Sequence, residues 1–340
     1  MTSPLALDAP AGAFDALPPT AFAPVAQAPA ALHWRLANFN RRRLLPALPG
    51  PHWRSELADE IAARTEEREF LDAERHAVAE QALQAPLRAD AFVAWFEALR
   101  QTGPGQGDPL FPWLAQHATL HQMRWFIAQE AAGEAGFDDL VALAQLRLPV
   151  RPKLEMARNY WDEMGRGKEV GMHGPMLALT AQELDIAPRI ETTVWESLAL
   201  ANLMLGLAAS RAHAYHAIGA LGAIELTAPT RVGLVGEGLR RLGVSSAGRR
   251  YFHLHASIDV AHSAAWNSEV IAPLVAAEPR CARAIAEGAL MRLAAGARCF
   301  ARYRREFGLD GSGQAERGPG LVPGGCHHAL IHCAATALAP

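Results

Sequence analysis

Apolar side chains recur with the period of an α-helix along most of this 340-residue chain, and this pattern limits the fold more than any other feature. The alternation that marks a β-strand is almost absent, and runs of β-branched residues are rare. Ala, Leu, Glu and Arg, which favour helices, are abundant instead. The sequence therefore predicts an all-α fold, with enough residues to enclose a sizeable core.

Stretches rich in Gly and Pro divide the chain into four parts. An Ala/Pro-rich leader, predicted to be disordered, covers residues 1–35. Residues 36–105 are predicted to form an N-terminal helical extension, and residues 106–307 the main helical domain. The clearest boundary between these two is the run of Gly and Pro in Gln101–Pro109. A Gly/Pro-rich tail, predicted to be flexible, covers residues 308–340.

Charge and composition argue against several classes of partner. The net charge of −3 gives no electrostatic case for binding nucleic acid or an anionic membrane. No apolar run approaches the length of a membrane span, and the N-terminus lacks the basic start and apolar core of a secretory signal. Four cysteines are too few for a disulfide framework. A reduced, cytoplasmic setting fits these features best.

The segment Tyr251–Trp266 contains neither Gly nor Pro, and three of its metal-competent side chains share one stripe of a helix. On a helix, His255, Asp259 and His262 lie within about 60° of one another, in a segment too apolar for a solvated face. Burying two imidazoles and a carboxylate together costs several kcal/mol unless something compensates. A bound metal ion is the usual compensation, and core histidines satisfied by hydrogen bonds are the alternative.

Glu225 is a further candidate, because it is the only acidic residue in the apolar run between His216 and Arg231. Burial of its carboxylate would require neutralisation. Alternatively, the carboxylate lies in solvent at a helix end, since Pro229 predicts that another helix begins there.

Other candidate ligands lie upstream in helical contexts. Glu163 and His173 flank a turn with three glycines, so the backbone can reverse and bring the two side chains together. Glu130 ends a helical segment, and Glu134 lies one turn beyond it. An ordinary surface position is the alternative for both Glu130 and Glu134.

Three parts of the chain together resemble the haem-oxygenase-like di-iron oxidases and oxygenases, also called iron-containing redox enzymes. These parts are Asn159–Glu163 with His173, Gly219–Glu225 and Tyr251–Ser263. The resemblance covers the main helical domain, and its most specific part is the H-x3-D-x2-H element with a glutamate upstream. It implies a haem-oxygenase-like seven-helix bundle, here preceded by the N-terminal helical extension.

The resemblance also implies a metal site and its ligands. Two Fe ions, cycling between Fe2+ and Fe3+, would lie inside the bundle and activate O2 as co-substrate. Glu225 or Glu163 would bridge them, and no catalytic residue beyond the metal ligands is implied. The implied ligands are Glu130, Glu163, His173, Glu225, His255, Asp259 and His262.

The reaction implied by the resemblance is the oxidation of a small metabolite. N-oxygenation, oxidative decarboxylation and C–C cleavage all occur in the family, on amino-acid-like or fatty-acid substrates, and no residue selects among them. An external electron donor and a second copy of the chain are further partners that fit the resemblance.

Other functions stay open at the level of sequence. A haem oxygenase or a cofactor-free enzyme would share the fold, but haem does not explain several acidic residues directed at one core. A metal-binding helical protein that recruits a partner is another alternative. A second metal site, in the tail, is a further alternative, because soft ligands are dense there: Cys326, His327, His328, His332 and Cys333.

Overall fold

The computed structural model describes residues 29–133 and 136–310, without the side chains of residues 132 and 133. In these ranges the chain forms helices and no strand, so the prediction of an all-α fold is confirmed. The α-helices are α1 (Pro29–Leu44), α2 (Trp53–Ala82), α3 (Ala89–Thr102), α4 (Leu110–Gln116), α5 (Leu120–Gly133), α6 (Phe137–Ala144), α7 (Val150–Glu163), α8 (His173–Glu183), α9 (Trp195–Ala209), α10 (Ala214–Arg241), α11 (Arg250–Ala265), α12 (Ala272–Ala277) and α13 (Cys281–Glu306).

Helix α1 begins at Pro29, inside the segment predicted as a disordered leader. Leu36 and Phe39 on this helix are buried against the rest of the bundle. Burial of this apolar face stabilises a helix that the Ala/Pro-rich composition does not indicate. The leader before Pro29, Glu134, and the tail from residue 311 with its cysteines and histidines lie outside the described residues.

Two apolar clusters form the interior, and helices α10 and α13 contribute to both of them. The first cluster joins α10 and α13 to α1, α2, α3, α6, α7, α9 and α12. The second joins them to α4, α5, α8 and α11. Helices before and after residue 105 therefore share one core, and the predicted domain boundary there stays a prediction.

Helices α10 and α13 cross at backbone contact because each has a glycine at the crossing. A Cβ atom on Gly219 would lie 1.8 Å from the carbonyl oxygen of Ile285. A Cβ atom on Gly288 would lie 1.9 Å from the carbonyl oxygen of His216. Neither distance admits a side chain, so the glycines allow α10, which carries Glu225, to lie at the centre of the bundle.

Helix α10 continues through Pro229, so the predicted helix start at this residue is wrong. Leu226 and Val235, on either side of the proline, are buried, and their burial outweighs the local effect of the proline. Pro229 has no N–H to donate to the carbonyl of Glu225 one turn earlier. The backbone carbonyl of Glu225, a candidate ligand, therefore lacks its usual helical hydrogen bond.

One stretch of the described chain, Arg211–Arg241, is long and apolar enough to cross a membrane by length and composition. The expectation that no apolar run reaches this length does not hold for it. The protein itself buries 61% of its most apolar window. A buried core helix also meets this criterion of length and composition. The close crossing with α13 explains the small apolar side chains of α10.

Helix α11, which carries the predicted ligand stripe, is followed by a π-helix over Trp266–Ile271. The indole N–H of Trp266 donates to the carbonyl of Ile218 on α10 at 3.2 Å, and its ring lies against Gly222. Such π-helical turns are rare and are frequent at functional sites. Here the turn anchors the end of α11 to α10.

Candidate metal centre

Helices α7, α8, α10 and α11 meet around a buried group of carboxylates and imidazoles. Helix α7 ends at Glu163, and α8 begins at His173. Between them the chain reverses through three residues with positive φ, Gly165, Arg166 and Gly167. The reversal brings Glu163 Oε2 into contact with His173 Nδ1, as the glycines between the two residues predict.

The first group of potential ligands is Glu163, His173 and His255, whose ligand atoms lie within 4.8 Å of one another. The rings of His173 and His255 meet edge to face, with centroids 4.4 Å apart. The Nδ1–H of His255 donates to the carbonyl of Tyr251 at 2.9 Å, because a carbonyl can only accept. This bond selects the tautomer whose Nε2 lone pair can bind a metal.

The second group is Glu163, Glu225 and His262, again with ligand atoms within 4.8 Å. Asn159 Nδ2 donates to Glu225 Oε1 at 2.6 Å, and Glu225 Oε2 lies 3.6 Å from His262 Nδ1. The Nε2–H of His262 donates to Asp162 at 3.1 Å. His262 Nδ1 therefore points into the group, as in carboxylate–histidine–metal arrangements.

Like charges and burial shift the protonation of this second group. Burial, and then the neighbouring Glu225 carboxylate, raise the pKa of Glu163 to about 9. Burial disfavours the charged form of His262, but the close approach and charge of Glu225, together with the hydrogen bond to Asp162, outweigh it and raise the pKa of this imidazole to about 9. Near neutral pH, Glu163 and His262 therefore hold protons in the metal-free protein.

The histidines of the first group are in the opposite state. Burial lowers the pKa of both His173 and His255 to about 4, so both imidazoles are neutral near pH 7 and competent to bind a metal.

His173 Nε2 and His262 Nδ1 are buried and have no hydrogen-bond partner among the described residues, which is uncommon for buried polar atoms. Imidazole nitrogens and carboxylate oxygens suit Fe2+, and they also accept Mn2+ and Zn2+. The residues present therefore fit a transition-metal site.

The structure brings five of the seven predicted ligands together. Asp259 is buried on α11 but belongs to neither group, so its role as a ligand stays a prediction. The residues of the two groups are Glu163, His173, Glu225, His255 and His262.

Glu130 lies apart from the two groups of ligands. Its carboxylate accepts a hydrogen bond of 2.7 Å from the hydroxyl of Tyr303, which is also 2.8 Å from Ser197 Oγ. Together with Arg292, these residues line a small cavity of about 70 Å³. Helix α5 places Glu130 here because its main contacts are with α9.

Two residues that are hydrogen-bonded to candidate ligands were not identified from the sequence. Asn159 precedes Glu163 by one helical turn and shares its buried face, so helical spacing from Glu163 could have found it. Asp162 holds His262 and is itself bound by Arg166 Nε at 2.6 Å. No local signal identifies Asp162, because His262 is 100 residues away in the chain.

Comparisons with known proteins give the family of the chain. No curated protein matches the chain. Among solved structures, the chain is similar to a CADD-like protein of unknown function from Nostoc punctiforme, with 18% sequence identity and a TM-score of 0.46 over 71% of this chain and 98% of that chain. The model of the family described as iron-containing redox enzyme matches residues 124–297, just over half of the chain. This match confirms the resemblance and the haem-oxygenase-like bundle that it implied, and the chain belongs to the iron-containing redox enzyme family.

Proposed function

We propose that this protein is a non-haem di-iron oxidase or oxygenase that uses O2 to oxidise a small metabolite. The observation that carries the proposal is the carboxylate of Glu163, which belongs to both buried groups of ligand atoms. A carboxylate shared by two ligand groups is the arrangement expected for a two-metal site. The family match supports iron as the metal and oxidation as the reaction class.

Each group would hold one iron ion, with Glu163 as the bridge. His173 and His255 would complete one set of ligands, and Glu225 and His262 the other. When bound, the two irons supply the electrons with which O2 is activated. The sequence left the bridge open between Glu225 and Glu163, and the shared position of Glu163 favours the latter.

Neighbouring residues orient these ligands. Asn159 holds one oxygen of Glu225, so the other oxygen is directed at the site. Asp162 holds His262 Nε2, which selects the ring nitrogen that faces the site. Glu163 and Glu225 are 3% and 2% exposed, so little bulk water contacts either carboxylate. The substrate class proposed from the family resemblance is an amino-acid-like or fatty-acid metabolite.

Anaerobic titration of the purified chain with Fe2+, followed by Mössbauer spectroscopy, tests the metal centre directly. We expect about two ferrous ions per chain in nitrogen- and oxygen-rich environments. Uptake of O2 by the iron-loaded protein, screened against amino acids and fatty acids, then tests the reaction. A Soret band on addition of haem, without stoichiometric uptake of iron, would contradict the proposal.

Substitution of single ligands separates the site from the fold. We expect His262→Ala to abolish O2-dependent turnover while helicity stays intact, because α11 packs along α10 and is anchored to it by the Trp266 hydrogen bond. Glu130→Gln is the matched control, and we expect it to keep the iron content of the wild type. Normal turnover of the His262→Ala protein would remove His262 from the set of ligands.

A further inference from the structure

Helix α7 presents two opposite faces, and only one of them belongs to the metal centre. Its buried face carries Asn159 and Glu163. On the other face, Val150, Leu154 and Trp161 lie within about 40° of one another and roughly opposite Glu163. These three side chains are 76%, 54% and 54% exposed, although all are large and apolar. An apolar stripe with a tryptophan at one end is typical of a binding surface.

Basic side chains surround this apolar stripe. The exposed charged residues from residue 146 to residue 170 are six cations and one carboxylate, on a chain whose net charge is −3: Arg147, Arg151, Lys153, Arg158, Arg166, Lys168 and Glu169. Three of the cations pair with Glu269, Glu155 and Asp162. Arg147, Lys153 and Lys168 form no ion pair with a described residue. The exposed side chains of residues 146–170 therefore carry a net positive charge on a negative protein, and this charge fits an acidic partner.

Trp161 is held in place at the edge of this surface. Its ring lies against Gly167, where a Cβ atom would be only 2.9 Å from Cη2 of the indole. Gly167 has a positive φ of 78°, which the reversing turn before His173 requires. A large aromatic side chain that is already fixed loses little entropy when a partner covers it.

The position of the surface indicates what the partner does. The apolar stripe and Glu163 lie on opposite sides of one helix, so about 10 Å, the diameter of a helix with its side chains, separates the surface from the proposed metal ligands. Trp161 is directly followed by Asp162, which is hydrogen-bonded to His262. Weak electron-transfer encounters use small interfaces, and complementary charges guide the two partners together.

We propose that the outer face of α7, with Val150, Leu154 and Trp161 inside its basic rim, is the docking site for an acidic one-electron carrier protein. The inference rests on the proposed function, because the carrier would reduce the iron centre. Insertion of one oxygen atom of O2 into a substrate, with release of the other as water, consumes two electrons and two protons. Two successive encounters supply the electrons, each oxidising one carrier by one electron, and solvent supplies the protons.

Binding to the metal-free full chain tests the surface independently of oxygen chemistry. The probe is an acidic plant-type [2Fe–2S] ferredoxin in its oxidised form. Its binding is measured by calorimetry at low ionic strength. We expect saturable binding that weakens with added salt. The triple variant Arg147→Glu, Lys153→Glu and Lys168→Glu should bind about tenfold more weakly or worse, because it places like charges opposite one another.

A matched triple variant controls for net charge. Arg42→Glu, Arg100→Glu and Arg240→Glu make the same charge change at exposed positions on α1, α3 and α10, and ferredoxin binding should stay within about twofold of the wild type. Trp161→Gln leaves the charge unchanged and should also weaken binding. Stopped-flow reduction of the iron-loaded chain by reduced ferredoxin should slow in the same variants.

Several outcomes would overturn the docking site. These are equal weakening by the two triple variants, absence of ferredoxin binding, or equally tight binding of basic cytochrome c. Binding of anionic lipid vesicles through the same three cations, in place of ferredoxin, would show a membrane surface instead. If the chain binds ferredoxin through α7 but takes up no iron, the proposed function fails and the binding surface is retained.

Discussion

Glu163 is a buried carboxylic acid that holds a proton at neutral pH when no metal is bound. Its ordinary pKa of 4.5 rises to about 9 because burial, and then Glu225, disfavour its charge. His262 shifts in the same direction, from 6.5 to about 9. Metal binding must displace both protons, so affinity for a divalent ion should increase with pH.

The first residue-scale prediction concerns stability of the metal-free protein as a function of pH. The folded protein binds the protons of Glu163 and His262 more tightly than the unfolded chain does. The stability from Glu163 is therefore complete below its unfolded pKa, and it is lost as pH rises towards 9. The stability from His262 is complete below pH 6.5, and it is also lost as pH rises towards 9. We expect the free energy of unfolding to fall between pH 7 and pH 9, measured by urea denaturation in the presence of a chelator.

Glu163→Gln provides the comparison for this pH dependence. The amide cannot ionise, so the variant should lose less stability than the wild type over the same range. His173 and His255 act in the opposite sense, because their lowered pKa values remove stability as pH falls from 6.5 towards 4. An identical alkaline slope in wild type and variant would show that Glu163 is already ionised at neutral pH.

Among the elements, α10 and its contacts determine where the ligands lie. Helix α10 carries Glu225, crosses α13 at two glycines, and receives the π-helical turn that ends α11. Pro229 within it leaves the Glu225 carbonyl without its helical donor. The proline persists because the helix is held by packing on both sides, and local propensity has little influence there.

The element-scale prediction is that Gly288→Ala separates α10 from α13. The added Cβ atom would lie 1.9 Å from the His216 carbonyl oxygen, and only a shift of backbone can relieve this contact. We expect a loss of about 3 kcal/mol in the free energy of unfolding, at the upper end of the usual cost of overpacking, because the contact is with backbone. Iron content should fall with it, because Glu225 moves with α10.

Gly233→Ala is the matched control on α10 itself. A Cβ atom there meets only Ala256 Cβ at 3.8 Å, an ordinary contact. Alanine is the better helix former, so stability should stay equal or increase by up to about 1 kcal/mol. If both glycine variants unfold alike, the backbone crossing is not what holds the two helices together.

At the scale of the whole molecule, the helices before residue 105 are part of the structure that supports the site. Phe92 and Phe96 on α3 are fully buried in the same apolar cluster as Leu221 on α10. Asn40 on α1 donates from Nδ2 to Asn202 on α9 at 2.8 Å. Removal of these helices would expose one side of the central pair α10 and α13.

The whole-molecule prediction compares two truncations. A chain of residues 29–310 contains all the described packing and should keep cooperative thermal unfolding and iron uptake. A chain of residues 106–310 lacks the buried side chains of α1 to α3 and should aggregate or lose cooperative unfolding. Circular dichroism and size-exclusion chromatography distinguish the two results. An independently folded 106–310 chain would support the domain boundary predicted from the Gly/Pro run.

The sequence by itself determined the helical class and most of the candidate ligands. Both follow from local rules. The helical period of the apolar residues can be read without knowing which other helices pack nearby. The rotation per residue puts His255 and His262 on one stripe wherever the helix lies. Likewise, the glycines after Glu163 are sufficient to predict a reversal towards His173.

Only the tertiary structure decided which helices face one another, and this determined the roles of the remaining residues. Glu130 and Glu225 are both glutamates in apolar helices, yet α5 packs against α9 and α8, whereas α10 packs against α11. Glu130 therefore meets Tyr303, while Glu225 meets His262. The physical reason is that a helix pattern specifies which side is buried but not the element that buries it, which depends on crossings such as the one at Gly219.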